Sequence, residues 1–262
     1  MWLDGSPVEP EDLAALALYN YGHFTSMRVE KMRVRGLGLH LDRLVEDSRI
    51  LYGQPVDPKR VRQLVRQALA DGPSVAVVRV TVFAPDLDLA HPGEGGQPRV
   101  LVTTRPAPDV RPGPMRVKSV QYHRDLPGVK HVGLFAQIAH RRTAQLDGFD
   151  DALFVDANKV IAEGATWNIG FLQAGEVVWP DARYLIGVTM RLLQDNLKAY
   201  DMEMKTLEMR LDTLTAVDSA FATNAAIGVR PISAIDNHHF IVDVRAMDTL
   251  RQAYLATVPE SL

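Results

Sequence analysis

The sequence predicts an α+β (mixed α/β) fold, and three observations carry that prediction. SVAVVRVTVFAP and RVLVTTRP are valine-rich runs that end at proline, the composition of strands. Residues 57–72 read as a helix with its own punctuation: Asp57 as N-cap, Pro58 at the first helical position and Gly72 after the last apolar residue. Strands and helices then mix along the chain without strict βαβ alternation, which argues against a doubly wound sheet.

Taken in order, the chain opens with a strand pair and a helix over LHLDRLVEDSRILYG, closed by Gly53. The 57–72 helix and the two valine-rich strands complete a first half that runs to about residue 105. Pro106, Pro108, Pro112, Pro114 and Pro127 follow, a density that forbids helix over most of the stretch and predicts an extended linker interrupted by a short strand, MRVKSVQY. The boundaries this gives are 1–110 for a first domain, 111–128 for a linker and 129–262 for a second domain. The second half begins with a helix over about 131–146, ended by Gly148. Short strands DALFVD, KVIAE, TWNIGFLQ and EVVWP come next, with turns at Asn158 and Ala174-Gly175. A helix over about 188–200, a strand MEMKTLEM, a short helix LDTLTAVD, strands SAFATN and VRPISAI and a closing helix VDVRAMDTLRQAYLA finish the chain. HPGEGGQP, residues 91–98, reads as a loop.

A length of 262 residues suits one large domain or two small ones. The apolar share of 47% and charged share of 23% are those of a folded soluble protein. The net charge of −3, with arginines scattered rather than clustered, leaves no footprint for nucleic acid or an acidic membrane. The absence of cysteine excludes disulfides, thiolate metal sites and a cysteine nucleophile. MWLDGSPVEPEDL has neither the basic start nor the apolar core of a signal peptide, and no apolar run approaches the ~20 residues that span a bilayer, so a cytoplasmic protein is expected. The histidines show no metal-ligand spacing with carboxylates, and no metal is expected; neither G-x-S-x-G nor a Walker A run occurs.

Two residues stand out as chemistry. Only seven lysines occur, against 22 arginines, and Lys130 is the one that follows a Pro-Gly turn among Val129, Val132, Leu134 and Phe135. A lysine in an apolar setting loses hydration, its pKa falls, and the free amine becomes available for Schiff-base chemistry. Glu163 lies 33 positions on, in VIAEGATWNIGF, and a buried glutamate needs something to stabilise its charge. A protonated pyridine nitrogen would do so. The plainer reading is a surface lysine after a turn and a strand-end glutamate in solvent. Gly187-Val188-Thr189 opens a helix, where free N–H groups, a glycine and a hydroxyl suit a phosphate; glycine-to-helix turns are also common without one.

DLPGVKHVGLFAQ with VIAEGATWNIGF resembles the class IV aminotransferases, the fold-type IV pyridoxal-phosphate enzymes that include branched-chain and D-amino-acid aminotransferases and aminodeoxychorismate lyase. YGHFTSMRV, LHLDRLVEDSRILYG, IGVTMRLL and TNAAIGVRPI extend the resemblance over roughly residues 1–250, in the family's order. The resemblance implies a smaller N-terminal α/β domain, a larger C-terminal barrel-like domain and a homodimer. It implies pyridoxal 5'-phosphate as cofactor, held by Lys130 as an internal aldimine, by Glu163 at the pyridine nitrogen and by Arg43, Val188, Thr189, Asn224 and Ala225 at the phosphate. Arg28, Arg79, His23 and Phe24 match positions of the substrate pocket, His23 and Phe24 within its N-terminal loop. By pattern alone, Arg43 also fits a helix-surface pair with Glu46 or Asp47, and Arg28 and Arg79 fit structural salt bridges. Asn168 is expected to support a loop.

Three functions follow from the resemblance. The first is a transaminase moving an amino group between an amino acid or amine and a keto acid. The second is aminodeoxychorismate lyase, which releases pyruvate and p-aminobenzoate; the NAAIGVRP run is similar to that branch. The third is a pyridoxal-phosphate-binding protein with little turnover, against which the complete set of motifs argues.

Overall fold

The computed structural model describes residues 1–108 and 111–262, in which strands and helices mix as an α+β fold. The boundary read at residue 110 falls outside the described residues. The chain divides into two units. One takes Met1–Pro108, Val129–Leu134 and Pro259–Leu262; the other takes Asp109–Gly128, described from residue 111, and Phe135–Val258.

The first unit holds β1 (Trp2–Leu3), β2 (Ser6–Pro7), α1 (Ala14–Tyr19), β3 (His23–Glu30), β4 (Arg33–Val34), α2 (Leu37–Tyr52), α3 (Pro58–Leu69), β5 (Val75–Phe83) and β6 (Arg99–Pro106). A C-terminal strand, Glu260–Ser261, pairs with β4 and makes the sheet seven-stranded, in the order C-terminal strand, β4, β3, β5, β6, β1, β2. Side chains alternate along the strands: Met27, Val29, Val78, Val80, Val82, Val100 and Val102 face one way, onto Leu37, Leu41 and Leu44 of α2 and Val61, Leu64 and Val65 of α3, while Val77, Thr81 and Phe83 are buried on the other face of β5. α3 starts as its sequence predicts, with the Asp57 carboxylate accepting from the Lys59 N–H at 2.9 Å. α2 ends at Gly53, whose φ of 70° suits glycine. α1 was not legible, because it is too short to show a period.

The second unit holds β7 (Met115–Gln121), α4 (Phe135–Leu146), β8 (Asp151–Val155), β9 (Ile161–Gly164), β10 (Asn168–Gln173), β11 (Glu176–Pro180), α5 (Val188–Asn196), β12 (Met204–Leu207), β13 (Ser219–Asn224), β14 (Gly228–Ile235), β15 (His238–His239) and α6 (Val244–Ala256). Six strands close on themselves: β10 pairs β13, β13 pairs β14, β14 pairs β7, β7 pairs β8, β8 pairs β9, and β9 returns to β10. This ring is a barrel, filled by Val117, Leu153, Val155, Ile161, Ile169, Phe171, Ala220, Ala222 and Ile232. α5 and α6 cover its outside through Met190, Leu193, Met247 and Leu250, packed on Leu172, Phe221 and Val229. No helix among the described residues is long and apolar enough to cross a membrane.

The strand expected within 111–128 is β7, which sits inside the barrel's hydrogen-bonded ring. One sequence reading changes: the helix expected from about residue 131 begins at Phe135. Residues 130–134 instead run along β3: the Phe24 N–H donates to the Lys130 carbonyl at 2.9 Å and the Val132 N–H donates to the Gly22 carbonyl at 2.9 Å. Lys130 therefore belongs to the first unit, not to the unit that follows it in sequence.

Candidate active site

In the first unit, Lys130 is held by its main chain. Its N–H donates to the Asp47 carboxylate at 3.0 Å, and its carbonyl accepts from Phe24. Its Nζ stands 5.0 Å from the centre of the Phe24 ring. The same ring carries the Arg79 guanidinium at 3.6 Å, a cation–π contact. Arg79 also donates to Thr81 Oγ1 at 3.2 Å and forms no ion pair among the described residues. Burial first, then the charge of Arg105, lowers its pKa from the usual arginine value. Arg28 is in the structural pair that the sequence offered as its alternative: its Nε donates to Glu30 at 2.6 Å and its Nη1 to the Pro108 carbonyl at 2.9 Å.

His23 and Phe24 open β3 rather than lying in a loop, so their side chains point to opposite faces of the sheet. His23 and Thr25 face α2. There Arg43 Nη2 donates to Thr25 Oγ1 at 2.5 Å, and Thr25 Oγ1 lies 2.7 Å from His40 Nδ1. Arginine can only donate, so the threonine oxygen accepts from Arg43. Burial, and then the charge of Arg43, lowers the His23 pKa to about 3. Burial, Arg43 and Lys130 hold His40 well below the ordinary histidine value. Both histidines are neutral at pH 7.

In the second unit, Glu163 is 5% exposed on β9. Arg124 Nε lies 3.8 Å from its Oε1, and Arg124 is 7% exposed, so the pair is desolvated as well as charged. The Tyr184 phenol is pushed up by burial, then by Asp181 and Glu163; Tyr122 is raised by burial, Asp125 and Glu163. A cavity of about 500 Å³ includes Tyr122, Arg124, Asp181 and Arg183 in its lining.

Asn168 pairs with Glu163 across β9 and β10 and ties this strand to the start of α5. Its Nδ2 donates to the Leu185 carbonyl at 2.7 Å, and its Oδ1 accepts from the Gly187 N–H at 2.9 Å. A Cβ on Gly187 would stand 2.4 Å from that Oδ1, so the approach requires glycine. α5 then begins at Val188. Thr189 is 1% exposed, and its hydroxyl has no hydrogen-bond partner among the described residues. Asn224 caps the β13–β14 turn, its Oδ1 accepting from the N–H groups of Ala226 and Ile227 at 3.0 Å each, with Ala225 inside the turn. Val188, Thr189, Asn224 and Ala225 thus belong to two neighbouring features, since α5 packs on β13.

The start of α5 fits a phosphate group. A buried hydroxyl without a partner at a helix N-terminus is a donor that an anion satisfies. Sequence reasoning missed Arg124, because one charged residue after a strand carries no signal until its side chain is seen beside Glu163. It also missed Asp47 and the Arg43–Thr25–His40 chain, which join residues far apart in sequence.

Residues 22–235 match the family model for amino-transferase class IV. A probable branched-chain-amino-acid aminotransferase of Rickettsia bellii is 34% identical over 116 residues, 41% of this chain and 40% of its own length. The matched region thus spans about two fifths of that curated relative. The aminodeoxychorismate lyase of Bacillus subtilis is 25% identical over 145 residues, covering 54% of this chain and 44% of the lyase. The branched-chain aminotransferase of the archaeon Thermoproteus uzoniensis, solved with norvaline, superposes with a TM-score of 0.86 at 20% identity, over 97% of this chain and 92% of that one. The fold agrees over nearly the whole chain and the family's sequence pattern over most of it. This protein belongs to the class IV aminotransferases.

Proposed function

We propose that the protein is a pyridoxal-phosphate-dependent transaminase that moves an amino group between an amino acid or amine and a keto acid. The observation that carries the reading is the buried, unpartnered Thr189 hydroxyl at the start of α5, where an anion is the missing acceptor. Bound pyridoxal phosphate supplies an aldehyde for the amine and a ring that withdraws electrons from the substrate carbon. Lys130 Nζ takes the proton from that carbon and returns it. Glu163, a buried carboxylate beside Arg124, holds a protonated ring nitrogen. Val188, Thr189, Asn224, Ala225 and Arg43 bind the phosphate. Phe24 and Arg79 face the substrate, Arg79 with its charge unpaired by any described carboxylate; Arg28 shapes that side from its fixed position, and His23 acts from the opposite face of the sheet.

The test is a half-reaction. Protein purified with pyridoxal phosphate is given L-amino acids, D-amino acids and (R)- and (S)-amines singly. Loss of the yellow absorbance with one donor class, restored by a keto acid, establishes the transaminase. The NAAIGVRP run, similar to the lyase branch of the family, favours aminodeoxychorismate lyase as the second reading. A yellow protein that no donor bleaches, yet that releases pyruvate from aminodeoxychorismate, would move the assignment to the lyase. A protein that never turns yellow would end both.

A further inference from the structure

We infer that Thr223 is a further phosphate-binding residue, its hydroxyl completing the cradle at the start of α5; the inference rests on the cofactor reading above. Thr223 is 2% exposed on β13, and its Oγ1 has no hydrogen-bond partner among the described residues. A hydroxyl buried that completely costs stability unless something accepts its proton or donates to it. The face it occupies is set by register. Asn168 pairs with Thr223 and Gly170 with Phe221, so Asn168, Thr223 and Phe221 share one side of the sheet. Phe221 packs with Met190 and Leu193 of α5, which makes this the side that α5 covers. On that side Asn168 reaches the Leu185 carbonyl and the Gly187 N–H, immediately before Val188 and Thr189. Thr223 therefore stands beside the clip that fixes the N-terminus of α5. Its orphan hydroxyl and that of Thr189 come from two different elements, β13 and α5, which pack on each other. A phosphate bearing several acceptor oxygens satisfies both, and a single neutral group cannot supply the same charge-assisted bonds.

The experiment measures dissociation constants of the apoprotein for pyridoxal phosphate, for pyridoxal and for inorganic phosphate as competitor. It uses wild type, Thr223→Val and Thr223→Ser. Valine keeps the shape and removes the hydroxyl; serine restores it. The expected result is that Thr223→Val weakens pyridoxal phosphate and inorganic phosphate by about tenfold or more, the scale of a hydrogen bond to a charged group. Pyridoxal binding stays at the wild-type value, and Thr223→Ser recovers most of the loss. Equal binding of phosphate by wild type and Thr223→Val would overturn the inference and assign the hydroxyl to a buried water. A loss shared equally by pyridoxal and its phosphate would overturn it too, because the effect would then be structural. Wild type that prefers pyridoxal phosphate no more than pyridoxal would instead sink the cofactor reading itself.

Discussion

Arg124 and Glu163 are each nearly inaccessible to water, so removing one takes an opposite charge away from a buried ion. Arg124→Met is expected to lower the unfolding free energy by about 3 kcal/mol in urea titration, and adding Glu163→Gln should recover part of that loss. Lys130→Ala is expected to reduce turnover by ~10³-fold or more, since a positioned acid–base group is lost along with its bond to the cofactor; near-normal turnover would remove Lys130 from the chemistry. The histidines give a pH prediction. His23 has a folded pKa of about 3 against 6.5 unfolded. Between those values the unfolded chain binds the extra proton, so this contribution to stability is complete above pH 6.5 and is lost as pH falls toward 3. The slope is about 1.4 kcal/mol per pH unit for each such histidine, and His40 acts in the same direction. His23→Gln should flatten the stability–pH curve between pH 6 and 4 by about one proton; an unchanged slope would place the titration elsewhere.

At the scale of elements, the helix that matters most to the site is α5, and a clip rather than its own propensity places it. Gly187 carries no capping side chain, and Asn168 from β10 fixes that turn instead. Gly187→Ala pushes a Cβ into Asn168 Oδ1 and should weaken pyridoxal phosphate binding about tenfold, a loss of ~1.4 kcal/mol, while leaving the far-ultraviolet circular dichroism unchanged. Equal affinity would show that the turn tolerates the shift. Elements with local signals were legible: α3 from Asp57 and Pro58, α2 from Gly53, β5 and β6 from their valines. Residues 131–134 were not. Their composition continues smoothly into α4, and main-chain pairing with Gly22 and His23 runs them extended beside β3. Propensity is a weak prior where tertiary pairing competes with it.

For the whole molecule, a cofactor that binds only the folded chain stabilises it by mass action. Pyridoxal phosphate at about 100 times its dissociation constant should add ~2.7 kcal/mol and raise Tm by roughly 5 °C, with a smaller rise for Lys130→Ala. No rise for the wild type would contradict cofactor binding. We also propose a homodimer, and light scattering on the eluted protein checks it: a monomer that turns over would refute the assembly while leaving the chemistry intact. The sequence by itself determined the α+β class, the main helices and strands, and the ordered motifs that carry Lys130, Glu163 and Gly187-Val188-Thr189, because each of these is written in a few neighbouring residues. The tertiary structure alone decided that 130–134 join the first sheet, that 115–121 close the barrel, that Arg124 faces Glu163, and that Thr223 stands beside Asn168. Those facts depend on strand register and on pairings between residues far apart in the chain, which no local pattern encodes.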